Sequence, residues 1–244
     1  MIPERVDAPD ADPDILRASL SQVSQVNRWL GGDRGLRWAL RPLVRSRKRL
    51  RILDVGCGDG TTLERLARWG DERGCVIGGV AVDAHPQAVR LATERLGEEG
   101  GLDVIRADAF RLPFGESAFD VSMAVLTLHH FEAGEATVVL SEMARVTREK
   151  VVVSDLERSW PAYLGARLLS WTVWRGNAYT RHDGPVSVRR GFKKRELEIL
   201  GLRGGLETVR VRTHLPFRLT LGGEVPGASR DTSERSSGGS HETR

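Results

Sequence analysis

The chain has 244 residues, of which 40% are hydrophobic and 29% are charged, and its formal net charge is +4. These values are typical of a soluble globular protein whose core needs neither disulfides nor a metal for stability. No apolar run of about 18 residues is present, and the N-terminus lacks the basic and apolar segments of a signal peptide. Cys57 and Cys75 are too few for a disulfide framework or a zinc site. We therefore expect a reduced, cytoplasmic protein with no membrane span and no metal.

Two helices are predicted before the first strand. Pro13 stands at a favourable first helical position, and apolar residues follow at helical spacing until Gly31 and Gly32 end the helix. A second helix is predicted over 34–44. Because both precede the first strand, residues 1–46 are interpreted as a helical extension that packs as an accessory layer.

Short apolar strands then alternate with helices, from residue 50 onward. The strands are predicted at 51–55, 75–82, 102–107, 119–126 and 151–153, with helices between them. This alternation indicates an α/β fold with a doubly wound, mostly parallel sheet that is covered on both faces. We assign this domain to residues 47–222.

The end of the chain departs from the alternation. Residues 172–191 contain glycines, a proline and many arginines, and they are interpreted as an inserted loop or lid. A helix is predicted at 193–200, followed by two strands at 206–213 and 215–221 joined by a tight turn. Residues 223–244 are polar and lack apolar periodicity, so they are predicted to be a disordered tail.

A glycine-rich loop, Asp54–Gly60, lies between the first strand and its helix. Glycines let the backbone approach a ligand closely, and the helix start beyond them supplies free N–H groups. The dinucleotide fingerprint requires glycine or alanine where Thr61 stands, so the loop is of another kind. Asp54, two residues before the first glycine, suits a ligand with a cationic amino group.

Two more aspartates end the next two strands. Asp83 suits a ribose diol, because a carboxylate accepts from both hydroxyls. Asp108 suits an exocyclic adenine amine, with the backbone of Ala109 against the ring. Together with Asp54 they describe an amino acid, a ribose and an adenine across the carboxyl ends of three strands. An aspartate at a strand end is also a common helix cap or turn former, which is the alternative for each.

The order and spacing of these motifs resemble those of the class I S-adenosylmethionine-dependent methyltransferases over roughly residues 50–155. The matching segments are Leu53–Gly58, Val82–Asp83, Ala107–Ala109, Leu112–Phe114, Ser117–Val121 and Leu128–Phe131. The resemblance implies a Rossmann-like, seven-stranded methyltransferase fold with a final antiparallel hairpin, and S-adenosyl-L-methionine as cofactor. The candidate cofactor-binding residues are Asp54, Gly56, Gly58, Gly60, Asp83, Asp108, Ala109 and Val125. Asp59 departs from the family pattern, where many members carry threonine or serine.

Three histidines are candidates for the general base that an oxygen acceptor needs. His129 and His130 follow the fourth strand, and His182 lies in the 172–191 insert beside Asp183. The alternative for the pair is a helix cap or turn. No cluster of oxygen ligands for a metal can be assembled from the sequence.

Within the class, the chain resembles the branch that methylates small molecules, including the quinone-biosynthesis type. We expect O- or C-methylation of a small apolar or aromatic acceptor, such as a quinone, a phenol or a polyketide. The N-terminal helices and the 172–191 insert would enclose it.

Two other functions remain open at this point. One is a nucleic-acid methyltransferase, which the basic segment 37–51 would suit, although Val125–Leu128 lacks the Asn/Asp-Pro-Pro-aromatic motif of the amino-methylating enzymes. The other is a non-catalytic protein that binds S-adenosylmethionine as a regulatory ligand.

Overall fold

The computed structural model describes residues 4–7, 12–29, 31–97 and 101–227. Its centre is a seven-stranded sheet in the order β3-β2-β1-β4-β5-β7-β6. The strands are β1 (Arg49–Val55), β2 (Val76–Asp83), β3 (Leu102–Arg106), β4 (Phe119–Val125), β5 (Thr147–Leu156), β6 (Glu207–His214) and β7 (Arg218–Glu224). The first five strands pair in parallel, and β7 is antiparallel to both of its neighbours. The predicted mostly parallel sheet with a final antiparallel hairpin is confirmed.

Eight helices accompany the sheet in the described residues. They are α1 (Pro13–Trp29), α2 (Gly32–Ser46), α3 (Thr61–Asp71), α4 (Pro86–Leu96), α5 (Ala133–Val146), α6 (Trp160–Trp171), α7 (Ala178–Arg190) and α8 (Lys194–Arg203). None of the helices that the structure describes is long and apolar enough to cross a membrane.

The hydrophobic core lies on both faces of the sheet, and β5 shows how one strand supplies both. Val151 and Val153 belong to the cluster on one face, and Val152 belongs to the cluster on the other. All three side chains are fully buried. A strand buried on both faces appears in the sequence as an unbroken apolar run, which is why this segment was recognisable.

Helix α2 of the predicted accessory layer packs into the core on the second face of the sheet. Its Leu36, Leu40 and Val44 are buried and pack in the same cluster as β1 and β2 residues. Helix α1 contacts α2, α4 and α7. The domain boundary that we predicted between residues 46 and 47 stays a prediction.

Several basic side chains of segment 37–51 have structural partners. The Arg47 guanidinium lies 2.6 Å from a carboxylate oxygen of Glu149. Arg51 lies over the ring of Phe119, and Arg37 lies over the ring of Trp69. These contacts connect α2 to α3, β1 to β4, and the residue after α2 to β5. Part of the positive charge of the segment therefore stabilises the fold. This weakens the observation that favoured nucleic acid as the acceptor.

The irregular loop predicted over 172–191 is wrong in part, because the structure forms α7 there. Asn177 caps the helix: its side-chain oxygen accepts hydrogen bonds from the backbone N–H groups of Tyr179 and Thr180. Gly184, a poor helix former, is required by packing, since a Cβ there would lie 2.4 Å from a ring atom of Trp174. Tertiary packing therefore overrides the local propensity.

The boundary predicted for the polar tail is also wrong at its start. Strand β7 continues to Glu224, with Gly223 paired to Val151 and Glu224 paired to Lys150. The backbone N–H of Val225 then donates to the carbonyl oxygen of Glu149. The prediction for residues 228–244 lies outside the described residues.

A chain that ends at Gly222 should melt below one that ends at Gly227. The shorter chain loses the last pairs between β7 and β5 and the contact of Val225 with the core cluster. We expect a decrease of roughly 4–12 °C, the shift that about 2–3 kcal/mol produces in a domain of this size. Calorimetry of the two chains measures the difference. Equal melting temperatures would show that residues 223–227 contribute nothing to stability.

Candidate functional site

The glycine-rich loop connects β1 to α3 and is shaped by left-handed backbone conformations. Gly56 and Gly58 have φ values of +71° and +57°, which only glycine adopts at little cost. At Gly56 the space is also closed, because a Cβ would lie 2.3 Å from the side chain of Thr127. Gly60 is also left-handed, with a φ of +75°, and a Cβ there would lie 2.9 Å from the side chain of Leu96 of α4.

A cavity of about 560 Å³, which we call the loop cavity, opens at the carboxyl ends of β1 to β4. It brings together five of the eight predicted cofactor-binding residues: Gly56, Gly58, Asp83, Asp108 and Ala109. The other three predicted residues, Asp54, Gly60 and Val125, are described by the structure and do not line the cavity. Its size lies in the range of small-molecule and cofactor sites.

The rest of the wall was not predicted residue by residue. Helix α1 contributes Leu16 and Leu20, as expected of a roof, and residues 4–7, which we call the N-terminal turn, contribute Val6. Phe110 and Phe131 also line the cavity, and their rings meet edge to face with centroids 5.2 Å apart. None of the described residues of the 172–191 insert lines it, so the structure places that segment elsewhere.

Asp83 connects the end of β2 to the glycine loop. One carboxylate oxygen accepts the backbone N–H of Gly58 at 3.0 Å, and the other accepts the backbone N–H of His85 at 2.9 Å. Burial raises the pKa of Asp83, although these two hydrogen bonds act in the opposite direction. Each oxygen retains a lone pair, so both can still accept from a ligand.

Asp54 lies fully buried under the loop. Neither of its carboxylate oxygens has a hydrogen-bond partner among the described residues. Burial, with the negative charges of Asp83 and Asp59, raises the pKa of Asp54 to about 7. A buried carboxylate without a partner is costly, so this position favours either a bound proton or a nearby cation.

Asp108 shows the turn geometry that was its structural alternative. Its Oδ1 accepts the backbone N–H of Phe110 at 2.9 Å, while the residue stays exposed at the cavity wall. Because a carboxylate has several acceptor positions, this turn and a ligand contact are compatible.

His129 forms a buried pair with Asp155 at the end of β5. Nδ1 of His129 lies 2.7 Å from Oδ1 of Asp155, and Oδ2 accepts the backbone N–H of His129 at 3.2 Å. Burial alone would raise the pKa of Asp155, but the charge and hydrogen bond of His129 outweigh it, so the pKa lies below its ordinary value. This arrangement holds the imidazole of His129 in one orientation.

Glu4 is the residue of the site that the sequence did not indicate. Its buried carboxylate lies 3.6 Å from Nε2 of His129 and 3.9 Å from Nε2 of His130. The two imidazole rings stack with centroids 4.4 Å apart, and His130 also lines the loop cavity. Glu4 lies more than 120 residues before His129 in the sequence, so no motif spacing could have predicted their contact.

Glu4, His129 and His130 offer ligand atoms within 4.8 Å of one another, a spacing that a metal could use. The guanidinium of Arg190 lies 3.6 Å from the Glu4 carboxylate and donates to the carbonyl oxygen of His129. The negative charge of Glu4 is therefore compensated by protein groups, and we propose no metal here.

His182 lies apart from the other two histidines. Its Nδ1 is 2.7 Å from Oδ1 of Asp183, whose carboxylate also accepts the backbone N–H groups of Arg5 and Val6. It lines a second cavity of about 730 Å³ between α6 and α7. The structure thus joins His130 to the glycine loop and does not join His182 to it, and a catalytic role of His182 stays a prediction.

Comparison with known proteins agrees with this geometry. Residues 52–150 match the family model described as a methyltransferase domain. An O-methyltransferase of Pyrenophora dematioidea is 36% identical over 108 residues, which are 43% of this chain and 39% of that protein. A ubiquinone biosynthesis O-methyltransferase of Azoarcus sp. (strain BH72) is 30% identical over 164 residues, covering 63% of this chain and 66% of that one. The match to the Pyrenophora protein thus spans about two fifths of its length.

Solved structures support the fold. A SAM-dependent methyltransferase from Aquifex aeolicus has a TM-score of 0.62 at 16% identity, covering 88% of this chain and 98% of that one. At this identity the likeness concerns the fold alone. The sheet order, the glycine loop and the family match agree that the chain contains a methyltransferase domain with the fold of the S-adenosylmethionine-dependent methyltransferases.

Proposed function

We propose that the protein transfers a methyl group from S-adenosyl-L-methionine to an oxygen atom of a small apolar or aromatic acceptor. The observation that carries this proposal is the loop cavity, which holds the glycine loop and Asp83 at one side and His130 at another. A binding site for the cofactor and a base thus share one space.

The residues around the loop fit the cofactor by the chemistry of their donors and acceptors. Asp83 offers two carboxylate oxygens to the ribose hydroxyls, and Asp108 with Ala109 offers an acceptor and an apolar edge to the adenine. Below the loop, the carboxylate of Asp54, which has no hydrogen-bond partner in the described part of the chain, favours a ligand that carries positive charge. When bound, the cofactor supplies an electrophilic methyl group on its sulfonium sulfur.

His130 is the residue that we assign to the acceptor. Its imidazole lines the loop cavity, where Nε2 would take the proton of an acceptor hydroxyl, and the bound cofactor would supply the methyl group and leave as the neutral thioether. Glu4 lies 3.9 Å from this nitrogen and stabilises the imidazolium that results. The His129–Asp155 pair holds the neighbouring ring against His130 and fixes its position.

The apolar part of the wall suits the acceptor class. Leu16, Leu20 and Val6 give the cavity an apolar wall, and Phe110 and Phe131 offer rings against which a planar acceptor can stack. The similarity to a ubiquinone biosynthesis O-methyltransferase supports a quinol or phenol as acceptor. We propose the cytoplasm as the location, to which the two free buried cysteines are suited.

Asp83→Asn should weaken cofactor binding by roughly 10–100-fold, because hydrogen bonds to a charged group contribute about 1.5–3 kcal/mol. Titration calorimetry with S-adenosylmethionine measures the change, and Asp103→Asn on the exposed face of β3 is the control. Equal affinity of the Asp83 variant and the wild type would contradict the assignment of the ribose site.

Asp54→Asn should stabilise the protein without ligand above pH 7. In the folded state the pKa of Asp54 is about 7 against an ordinary value of 3.8, so stability is lost as pH rises from about 4 to 7. Asparagine carries no charge and avoids this loss, on the order of 2–4 kcal/mol. Denaturant unfolding between pH 4 and pH 8 measures the difference, and a constant difference across that range would contradict it.

His130→Gln should lower turnover by about 10²–10⁴-fold while cofactor affinity stays near that of the wild type. The measurement is transfer of labelled methyl from S-adenosylmethionine to a panel of ortho-dihydroxyphenyl and hydroquinone compounds. His182→Gln is the matched comparison and should retain turnover, because it lines the other cavity.

The outcomes of this assay separate the candidate functions. A large loss in the His182 variant with no loss in the His130 variant would reverse our assignment of the base. Tight cofactor binding by the wild type without any labelled product would support the non-catalytic alternative.

A further inference from the structure

The outer side of α6 is an exposed apolar row. Trp160, Leu164, Leu168 and Trp171 recur at helical spacing, and they expose 75%, 60%, 66% and 72% of their surface. The opposite side of α6, which carries Ala162, Ala166 and Ser170, is buried. A surface helix normally presents polar residues outward, so this row is suited to a partner.

A basic cavity adjoins the row. The second cavity described above, about 730 Å³ in volume, lies between α6, α7 and the N-terminal turn, and we call it the arginine cavity. Five arginines line it: Arg5, Arg167, Arg175, Arg181 and Arg189. No acidic residue is among its described lining residues. Trp171 belongs to both the row and the cavity, so the two features form one continuous surface.

The acid beside this cavity does not neutralise it. Asp183 directs its carboxylate to the backbone N–H groups of Arg5 and Val6 and to the ring of His182. Within the described part of the chain, the guanidinium groups of the five lining arginines make no ion pair. The cavity therefore retains the positive charge of five groups that bind phosphate oxygens in bidentate fashion.

We propose that this surface docks on an anionic lipid bilayer. Phosphate-bearing headgroups enter the arginine cavity, and the apolar row of α6 enters the interfacial layer beneath them. Leucine beside tryptophan on one side of a helix, with arginine flanking it, is the arrangement that binds in the plane of a membrane surface. Trp160 and Trp171 stand at the two ends of the row, and tryptophan prefers the interface between headgroups and chains.

A second copy of the chain fits this surface less well. A twofold contact through the row with the two α6 helices parallel would bring the arginines of both copies together, because the row and the arginine cavity share Trp171 at one end of the helix. Like charges at such a contact repel, whereas anionic headgroups neutralise them. The proposal is independent of the methyl acceptor and of the loop cavity.

Sedimentation with lipid vesicles tests the proposal on the full chain. We expect binding to vesicles of phosphatidylglycerol and phosphatidylcholine, at least tenfold weaker binding to phosphatidylcholine alone, and a further decrease as salt rises. The double variants Leu164→Glu with Leu168→Glu and Arg167→Glu with Arg175→Glu should each lower binding to the anionic vesicles at least tenfold. All four side chains are exposed, so the melting temperature should change little.

The matched control lies on another surface. Leu202 of α8 is 59% exposed, close to the value for Leu164, and Arg203 is exposed beside it. The double variant Leu202→Glu with Arg203→Glu combines one replacement of each kind, with a charge change between those of the two α6 variants, and should leave vesicle binding unchanged.

Three results would overturn the proposal. The first is equal binding of wild type and both α6 variants to anionic vesicles. The second is stabilisation by glycerol phosphate or inorganic phosphate without any binding to vesicles, which would indicate a soluble anion instead. The third is a dimer in analytical ultracentrifugation that the Leu164→Glu and Leu168→Glu variant dissociates, which would assign the row to a second copy.

Discussion

The candidate site depends on the way the glycine loop is held by the end of β2. Three consecutive backbone N–H groups of the loop, those of Gly56, Cys57 and Gly58, donate to this strand end: the first two to the carbonyl oxygen of Val82 and the third to the Asp83 carboxylate. The polar backbone of the turn is thereby satisfied inside the protein. Held in this way, the loop does not fill the space at the carboxyl ends of the strands. That space is the loop cavity.

This arrangement concentrates negative charge where a parallel sheet ends. Asp54, Asp59 and Asp83 lie close enough for the other two charges to raise the pKa of Asp54. Among the described ion pairs of these three aspartates, Arg95 of α4 pairs with Asp59, whose carboxylate it meets at 3.3 Å, and Ser24 of α1 donates to the same group. The residue that departs from the family pattern thus ties α1 to the loop, while Asp54 is left for a proton or a cation. A cationic cofactor offsets part of the cost of burying these acids.

The sequence predicted those features that local patterns determine. An apolar run such as 151–153 indicates a buried strand, and glycines between a strand and a helix indicate a ligand loop, because both depend on neighbouring residues alone. Helix α7 was missed because Gly184 and Pro185 weaken its local signal, while its packing against Trp174 is a tertiary contact. The position of Glu4 beside His129 was missed for the same reason, since two segments distant in sequence meet only in the folded chain.

The N-terminal turn shows how the parts of the molecule are connected. Glu4 faces His129 and His130, Arg5 lines the arginine cavity, and Val6 lines the loop cavity. The two backbone N–H groups that Asp183 accepts, at Arg5 and Val6, fix this turn against α7. Because three successive residues face three different sites, a displacement of the turn changes all three together. The acceptor side of the loop cavity and the surface beside α6 are therefore assembled by the same contact, the one between Asp183 and the backbone of Arg5 and Val6.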